Sequence, residues 1–215
     1  MATEDLREYH RLLRERFGAR NWWPADSPFE MMVGAILTQN TAWTGVEKAI
    51  ANLKAADLLD PRRVAEADPA IVAALIRSSG YFNQKTKRLQ DFARWFVDRF
   101  DGDPDQMKEV PLPEMREELL AQKGIGPETA DSILLYALDH PTFVIDAYTF
   151  RVLHRHGFVG EDATYDEMKA LFEDTLPNET DLFNDFHAQI VNVGKLFCRK
   201  TPKCDDCPLN PLLPR

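Results

Sequence analysis

Three groups of residues in this 215-residue chain have the types and spacing to do chemistry. The first is Lys123-Gly124-Ile125-Gly126-Pro127, a Gly-x-Gly turn between two helix-periodic segments. Two glycines let the backbone take φ > 0 and come close to another molecule, and Pro127 suits the first turn of the following helix. The amides freed there form a seat for a phosphate oxygen, with Lys123 as a neighbouring cation. The same turn also serves as a plain helix–helix corner, where glycine is needed only as a C-cap. The second group is Asp146, a lone carboxylate after the apolar run Phe143-Val144-Ile145, at the expected N-cap of a helix ending near His156 and Gly157. An aspartate at the positive end of a helix stays ionised readily, which suits a nucleophile, an electrostatic stabiliser or simply a cap. The third is Cys198-x5-Cys204-x2-Cys207, which holds every cysteine of the chain within its last 18 residues. An odd, clustered set is a metal site or its remnant rather than a disulfide framework.

Helices must position these groups. Apolar residues recur at helical spacing in Leu6, Tyr9, Leu12, Leu13 and Phe17 and in Phe29, Met32, Val33, Ile36 and Leu37, whereas period-2 alternation longer than about four residues is missing. Further helices are expected over 46–53, 69–78, 86–100, 113–120, 127–138, 147–156, 165–176 and 180–197. About ten helices with short loops make an all-α protein. Trp95, spaced with Phe92, Phe96 and Phe100, is assigned to the core.

With 44% hydrophobic and 28% charged residues, the chain can bury a real core, and disorder throughout is excluded. No apolar run is long enough to cross a membrane and the amphipathic N-terminus is no export signal, so a cytoplasmic protein is expected. The net charge of −9 argues against a surface that grips nucleic acid everywhere. The acidity, however, is local: residues 101–190 carry six basic against twenty acidic side chains, while 61–100 and 191–215 are net positive.

In combination, Leu37-Thr38-Gln39-Asn40-Thr41, Gly80 to Lys85, Lys123 to Ala130, Ile145 to Val152 and Cys198 to Cys207 resemble the endonuclease III-like, helix-hairpin-helix superfamily of DNA base-excision glycosylases, in its order and spacing, across residues 22–210. The resemblance implies a two-lobed all-α fold with a DNA-binding cleft between the lobes. One lobe is a six-helix barrel over 22–132, and the other is built from 1–21 plus 133–215. It implies a monomer acting on double-stranded DNA with the damaged base flipped out. Asp146 matches the catalytic aspartate, and Gly124, Ile125 and Gly126 match the phosphate-binding hairpin. Gln39 and Tyr81 match residues that fill the gap left by the flipped nucleotide, which offsets a few kcal/mol of unstacking; a helix cap and core packing are their ordinary alternatives. Lys85, Lys123, Arg199, Lys200 and Lys203 are expected on DNA phosphates.

Members that also cut the backbone carry a lysine two positions after the second hairpin glycine, where this chain has Glu128. Without that amine no Schiff base forms there, so a monofunctional glycosylase is implied; Lys123, the nearest lysine in sequence, stays open as a replacement. Asn21-Trp22-Trp23-Pro24, with Ser79 to Leu89, resembles the 3-methyladenine DNA glycosylase III branch, implying excision of alkylated purines. Trp22, Trp23, Pro24, Trp43 and Gln189 are then the expected base pocket. An N3- or N7-alkylated purine is cationic, and an indole face attracts it by roughly 0.5–2 kcal/mol. Core packing is the alternative for each indole, and His187 is read as an ordinary buried histidine. Two alternatives stay open: an endonuclease III-type enzyme for oxidised pyrimidines or mismatched bases, and a non-catalytic DNA-binding protein.

The family loop that holds a [4Fe–4S] cluster has four cysteines spaced x6, x2 and x5. Here the first gap is one residue short and Leu213 stands at the fourth position. Cysteines 198, 204 and 207 leave cluster loss and a three-thiolate site both open, and the chemistry needs no cofactor.

Overall fold

Proline and aspartate punctuate this chain, and the computed structural model, which describes residues 2–20 and 25–213, starts helices where they do. Twelve α-helices form: α1 Ala2–Phe17, α2 Pro28–Thr38, α3 Trp43–Ala55, α4 Pro61–Glu66, α5 Pro69–Leu75, α6 Phe82–Phe100, α7 Pro104–Lys108, α8 Leu112–Ala121, α9 Pro127–Tyr136, α10 Ala147–Arg155, α11 Tyr165–Glu173 and α12 Thr180–Leu196. Two 3₁₀ turns, Arg77–Ser79 and Asn210–Leu212, complete the set, and no strand occurs among the described residues. No described helix is long and apolar enough to cross a membrane.

The all-α expectation holds, with two additions. Helices α4 and α7 have six and five residues, too short for an apolar period to show. Their signal lies in the caps instead. Asp60 accepts from the Arg62 and Arg63 amides and Asp103 from that of Asp105, each followed by proline in the first turn. Helix α6 starts four residues before the expected Thr86, because Tyr81 takes a left-handed conformation (φ 46°, ψ 30°) and turns the chain into it.

The chain divides into two compact units, Trp23–His140 and Met1–Trp22 with Pro141–Arg215. The first closes eight residues beyond position 132, at which the barrel lobe was expected to end, because Ile133, Leu134, Ala137 and Leu138 belong to its core. At its centre is α2, buried from Phe29 to Leu37 and apolar there except for Glu30, which pairs with Lys54, as a helix enclosed on nearly every side must be. Phe92, Phe96 and Phe100 of α6 pack beside it, with Phe29 stacked on Phe96 at 6.0 Å between ring centres. Trp95 lies half-buried at the edge of this core, against Phe92 and Phe100.

In the other unit, Phe143 stacks on Phe172 and meets Phe183 and Phe186 edge-on, tying the segment that leads into α10 onto α11 and α12. Helix α1 joins α12 through His10 Nε2 and Asp185 Oδ2, 2.6 Å apart. The segment after α12 hangs on two arginines of α10. Arg151 donates to the carbonyls of Gly194 and Cys198, and Arg155 to those of Arg199 and Lys200.

Candidate active site

The candidate residues fall in both units. In the first, α8 and α9 form the hairpin. Gly124 sits at φ +88°, the left-handed region where a Cβ is strained, and a Cβ there would also lie 2.5 Å from Arg88 Nε. Ile125 buries its side chain in the core, which anchors the turn from within. Gly126 is the N-cap of α9 without a side-chain cap, Pro127 follows it, and a Cβ on Gly126 would meet open space. Among the described residues the amides of Gly124 and Gly126 have no hydrogen-bond partner. Lys123 is exposed beside them. A part-buried ion pair holds the two helices together: Arg116 Nε donates to Asp131 Oδ1 at 2.8 Å, with Asp131 fully buried.

These geometries predict different outcomes for the two glycines. Gly124→Ala must displace Arg88 and strain the turn, costing about 1–2 kcal/mol of stability. Gly126→Ala should lower the unfolding free energy measured in urea by less than about 1 kcal/mol, the cost of a poorer cap. If DNA approaches this backbone, Gly126→Ala will nevertheless weaken binding in a fluorescence-anisotropy titration, whereas unchanged affinity would show that no phosphate sits there.

Gln39, at the C-terminus of α2, is held onto the hairpin. Its Nε2 donates to the Gly124 carbonyl at 2.9 Å and to Thr129 Oγ1 at 3.0 Å, and its Oε1 accepts from Arg88 at 2.6 Å. Arg88, absent from the expected site, thus fixes Gln39 and packs against the glycine turn together. Tyr81 is 67% exposed, so core packing does not account for it.

Lys85 corrects the expectation that it meets DNA. It is 1% exposed and spends its ammonium on the Leu37 carbonyl, Thr41 Oγ1 and the Ser79 carbonyl, at 2.8, 2.7 and 2.7 Å. The reason is positional: Lys85 lies in the first turn of α6 on its inward face, over carbonyls left open at the ends of α2 and the Arg77–Ser79 turn. Burial, aided by Arg88, pushes its pKa down to about 8, so at neutral pH the three-donor ammonium still predominates. Lys85→Met should therefore lower stability by about 2–4 kcal/mol in urea, since it strands buried acceptors, while the salt slope of DNA binding stays as it was. A flatter slope would restore Lys85 to the DNA-contacting set.

In the second unit, Asp146 is the N-cap of α10, and its Oδ1 accepts from the Thr149 amide at 2.7 Å and the Thr149 hydroxyl at 2.9 Å. One carboxylate oxygen is thus occupied by the cap. The other, Oδ2, lies 3.7 Å from His187 Nε2 on α12. Gln189 does not join them. Residues two apart on a helix point to different sides, and Gln189 is fully buried with its Nε2 on the Gly18 carbonyl at 2.6 Å, tying α12 to the end of α1. Gln189, expected in the base pocket, is in this structure packed against the end of α1. Trp22, Trp23 and Pro24 lie outside the described residues; Trp43 is half-buried against the first unit's core.

The three thiols line one cavity of about 290 Å³ with Arg155, His156, Lys203 and Leu213. Arg155 donates to Cys198 Sγ at 3.3 Å, and burial pushes the Cys207 thiol's pKa up. A [4Fe–4S] cluster takes four thiolates; here Leu213 supplies an isobutyl group instead, and no described group of His, Cys, Asp and Glu is arranged to hold a metal ion. The tail does not fit the cluster. Arg199, Lys200 and Lys203 are exposed on the same segment.

Residues 33–178 match the model of the HhH-GPD superfamily base excision DNA repair proteins. The chain belongs to that superfamily. This HhH-GPD protein is 44% identical over 208 residues, 96% of its length and 94% of the relative's, to "Putative DNA repair glycosylase MJ1434" of Methanocaldococcus jannaschii. It is also 29% identical, over 94% of its length and 89% of the relative's, to endonuclease III of Thermotoga maritima. Among solved structures, it is similar to H. pylori 3-methyladenine DNA glycosylase (MagIII) bound to 1,N6-ethenoadenine, with a TM-score of 0.76 and 34% identity, covering 90% of this chain and 97% of that one. The fold is shared with an endonuclease III–DNA complex at a TM-score of 0.84 and 22% identity, covering 98% and 94% of the two chains.

Proposed function

We propose that this HhH-GPD protein is a monofunctional DNA glycosylase that hydrolyses the N-glycosidic bond of alkylated purines such as 3-methyladenine in double-stranded DNA. The observation that carries the reading is Asp146, whose Oδ1 is consumed by Thr149 while Oδ2 takes no part in the cap. An ionised oxygen so placed serves a reaction that builds positive charge on a sugar. As the C1′–N bond lengthens, the alkylated purine leaves with the bonding pair as a neutral base, so no general acid is required. Water then adds to C1′, its proton passes to Asp146 Oδ2, and an abasic site in an intact strand results.

The amines near the hairpin favour hydrolysis over lyase chemistry. Glu128 occupies the position of the lyase lysine, and the Lys85 amine is already spent on three oxygens. The hairpin amides and exposed Lys123 suit a phosphate, exposed Tyr81 suits the gap beside a flipped nucleotide, and Lys200 and Lys203 suit further phosphates. Trp22, Trp23 and Trp43 supply the indoles for a cationic base. No cofactor enters these steps.

Duplexes carrying 3-methyladenine, hypoxanthine, thymine glycol or a T·G mismatch test the reading. Alkali-labile sites at 3-methyladenine, with no nick before alkali and no borohydride-trapped adduct, are expected. A trapped adduct would assign lyase chemistry to Lys123 or another amine, and release confined to thymine glycol would favour the endonuclease III-type alternative.

A further inference from the structure

His187 has no part in the reaction described above, yet it is an ionisable side chain beside the oxygen that does the work. It is 5% exposed on α12, its Nε2 lies 3.7 Å from Asp146 Oδ2, and Phe143 meets its ring edge-on at 6.2 Å between ring centres. The opposite oxygen of Asp146 already accepts two hydrogen bonds from Thr149. The carboxylate plane is thus fixed at one end by the α10 cap, and α12 faces it at the other.

We infer that His187 is a positioning residue, whose Nε2–H closes onto Asp146 Oδ2 when substrate is engaged and holds that oxygen ionised and aimed. The inference rests on Asp146 being the catalytic carboxylate. At 3.7 Å the two atoms are beyond hydrogen-bond length, which is common before a substrate complex tightens the site, and a small ring rotation closes the gap. The charged groups acting on His187 are Asp146, across the α10–α12 contact, and Lys195, two turns further along α12. Burial pushes the imidazole's pKa down and Lys195 adds to this against the opposing pull of Asp146, so the ring is neutral at pH 7 and carries a single N–H. A neutral donor suits the task. An imidazolium would cancel the negative charge that the sugar cation needs, whereas a neutral N–H orients the oxygen without removing its charge.

Single-turnover excision from a 3-methyladenine duplex as a function of pH tests this with His187→Phe, His187→Gln and Asp146→Asn. His187→Phe keeps a flat ring against Phe143 but lacks the donor. Its rate maximum should fall about tenfold, and the acid limb of the profile should move up by about one pH unit, since a carboxylate that loses a hydrogen bond protonates more easily. His187→Gln, which restores an N–H, should bring the limb most of the way back, a rescue that a packing role alone would not give. An unmoved acid limb in His187→Phe, with Asp146→Asn inactive, would overturn the role of His187 and leave that of Asp146 standing. Full activity in Asp146→Asn would overturn both. Should His187→Phe fail to fold, imidazole ¹⁵N shifts of the unmodified protein at pH 7 decide: a proton on Nε2 is required, and the opposite tautomer rejects the inference.

Discussion

Asp146→Asn should abolish base release, by at least about 10²-fold in single-turnover rate, while leaving the fold and the affinity for DNA nearly unchanged. The substitution separates two jobs that one side chain performs. Oδ1 caps α10 by accepting from the Thr149 amide and hydroxyl, and an asparagine carbonyl does this as well as a carboxylate, since Asn and Asp rank together as N-caps. What asparagine lacks is the second, ionised oxygen. Loss of rate without loss of melting temperature therefore isolates the chemistry. Asp146→Ala would mix the two effects, removing about 1 kcal/mol of cap along with the charge. A rate within about threefold of wild type for Asp146→Asn, measured on an alkylated-purine duplex, would show that Asp146 is only a cap and would leave the family's fold without its chemistry in this chain.

The features legible in the sequence were those whose cause is local. The Gly124 turn, Pro127 and the cap at Asp146 are set by residues within one helical turn of each other, so their type and spacing announce them. Even the short α4 and α7 carried a local mark in Asp60-Pro61 and Asp103-Pro104, which a search for apolar periods passes over. What eluded sequence reasoning was set by pairings far apart along the chain. Lys85 reads as a solvent cation within a basic run, and only the fold brings the Leu37 and Ser79 carbonyls to it. Arg88 reaches Gln39, 49 residues away, and His187 comes to Asp146 from a different helix. Gln189 shows the converse: its neighbourhood in sequence suggested a pocket, while its helical face turned it to Gly18. Local chemistry proposes the residues, and the side of the helix on which each falls decides which of them meet.

Such placement also has an energetic side at the hairpin, where Asp131→Ala should cost about 3–5 kcal/mol in urea unfolding. Asp131 is fully buried on α9 and receives both Nε and a terminal nitrogen of Arg116 from α8, at 2.8 and 3.3 Å, so the two helices of the hairpin are joined by a forked, charge-assisted contact. Removing the carboxylate takes the forked acceptor from a part-buried guanidinium, so the desolvation penalty it already carries is less well offset. The pair as a whole need not stabilise, because an apolar pair of similar volume avoids that penalty on both sides. Arg116→Met combined with Asp131→Leu is accordingly expected to recover most of the loss. The distinction matters for DNA binding. If the ion pair sets the angle between α8 and α9, and with it the seating of the Gly124 and Gly126 amides, the double variant will regain stability but bind a duplex containing an abasic site more weakly than wild type. If it regains both, the pair is a packing element that apolar side chains replace, and the turn itself, through Ile125 and the Gln39–Arg88 bonds, holds the phosphate seat unaided.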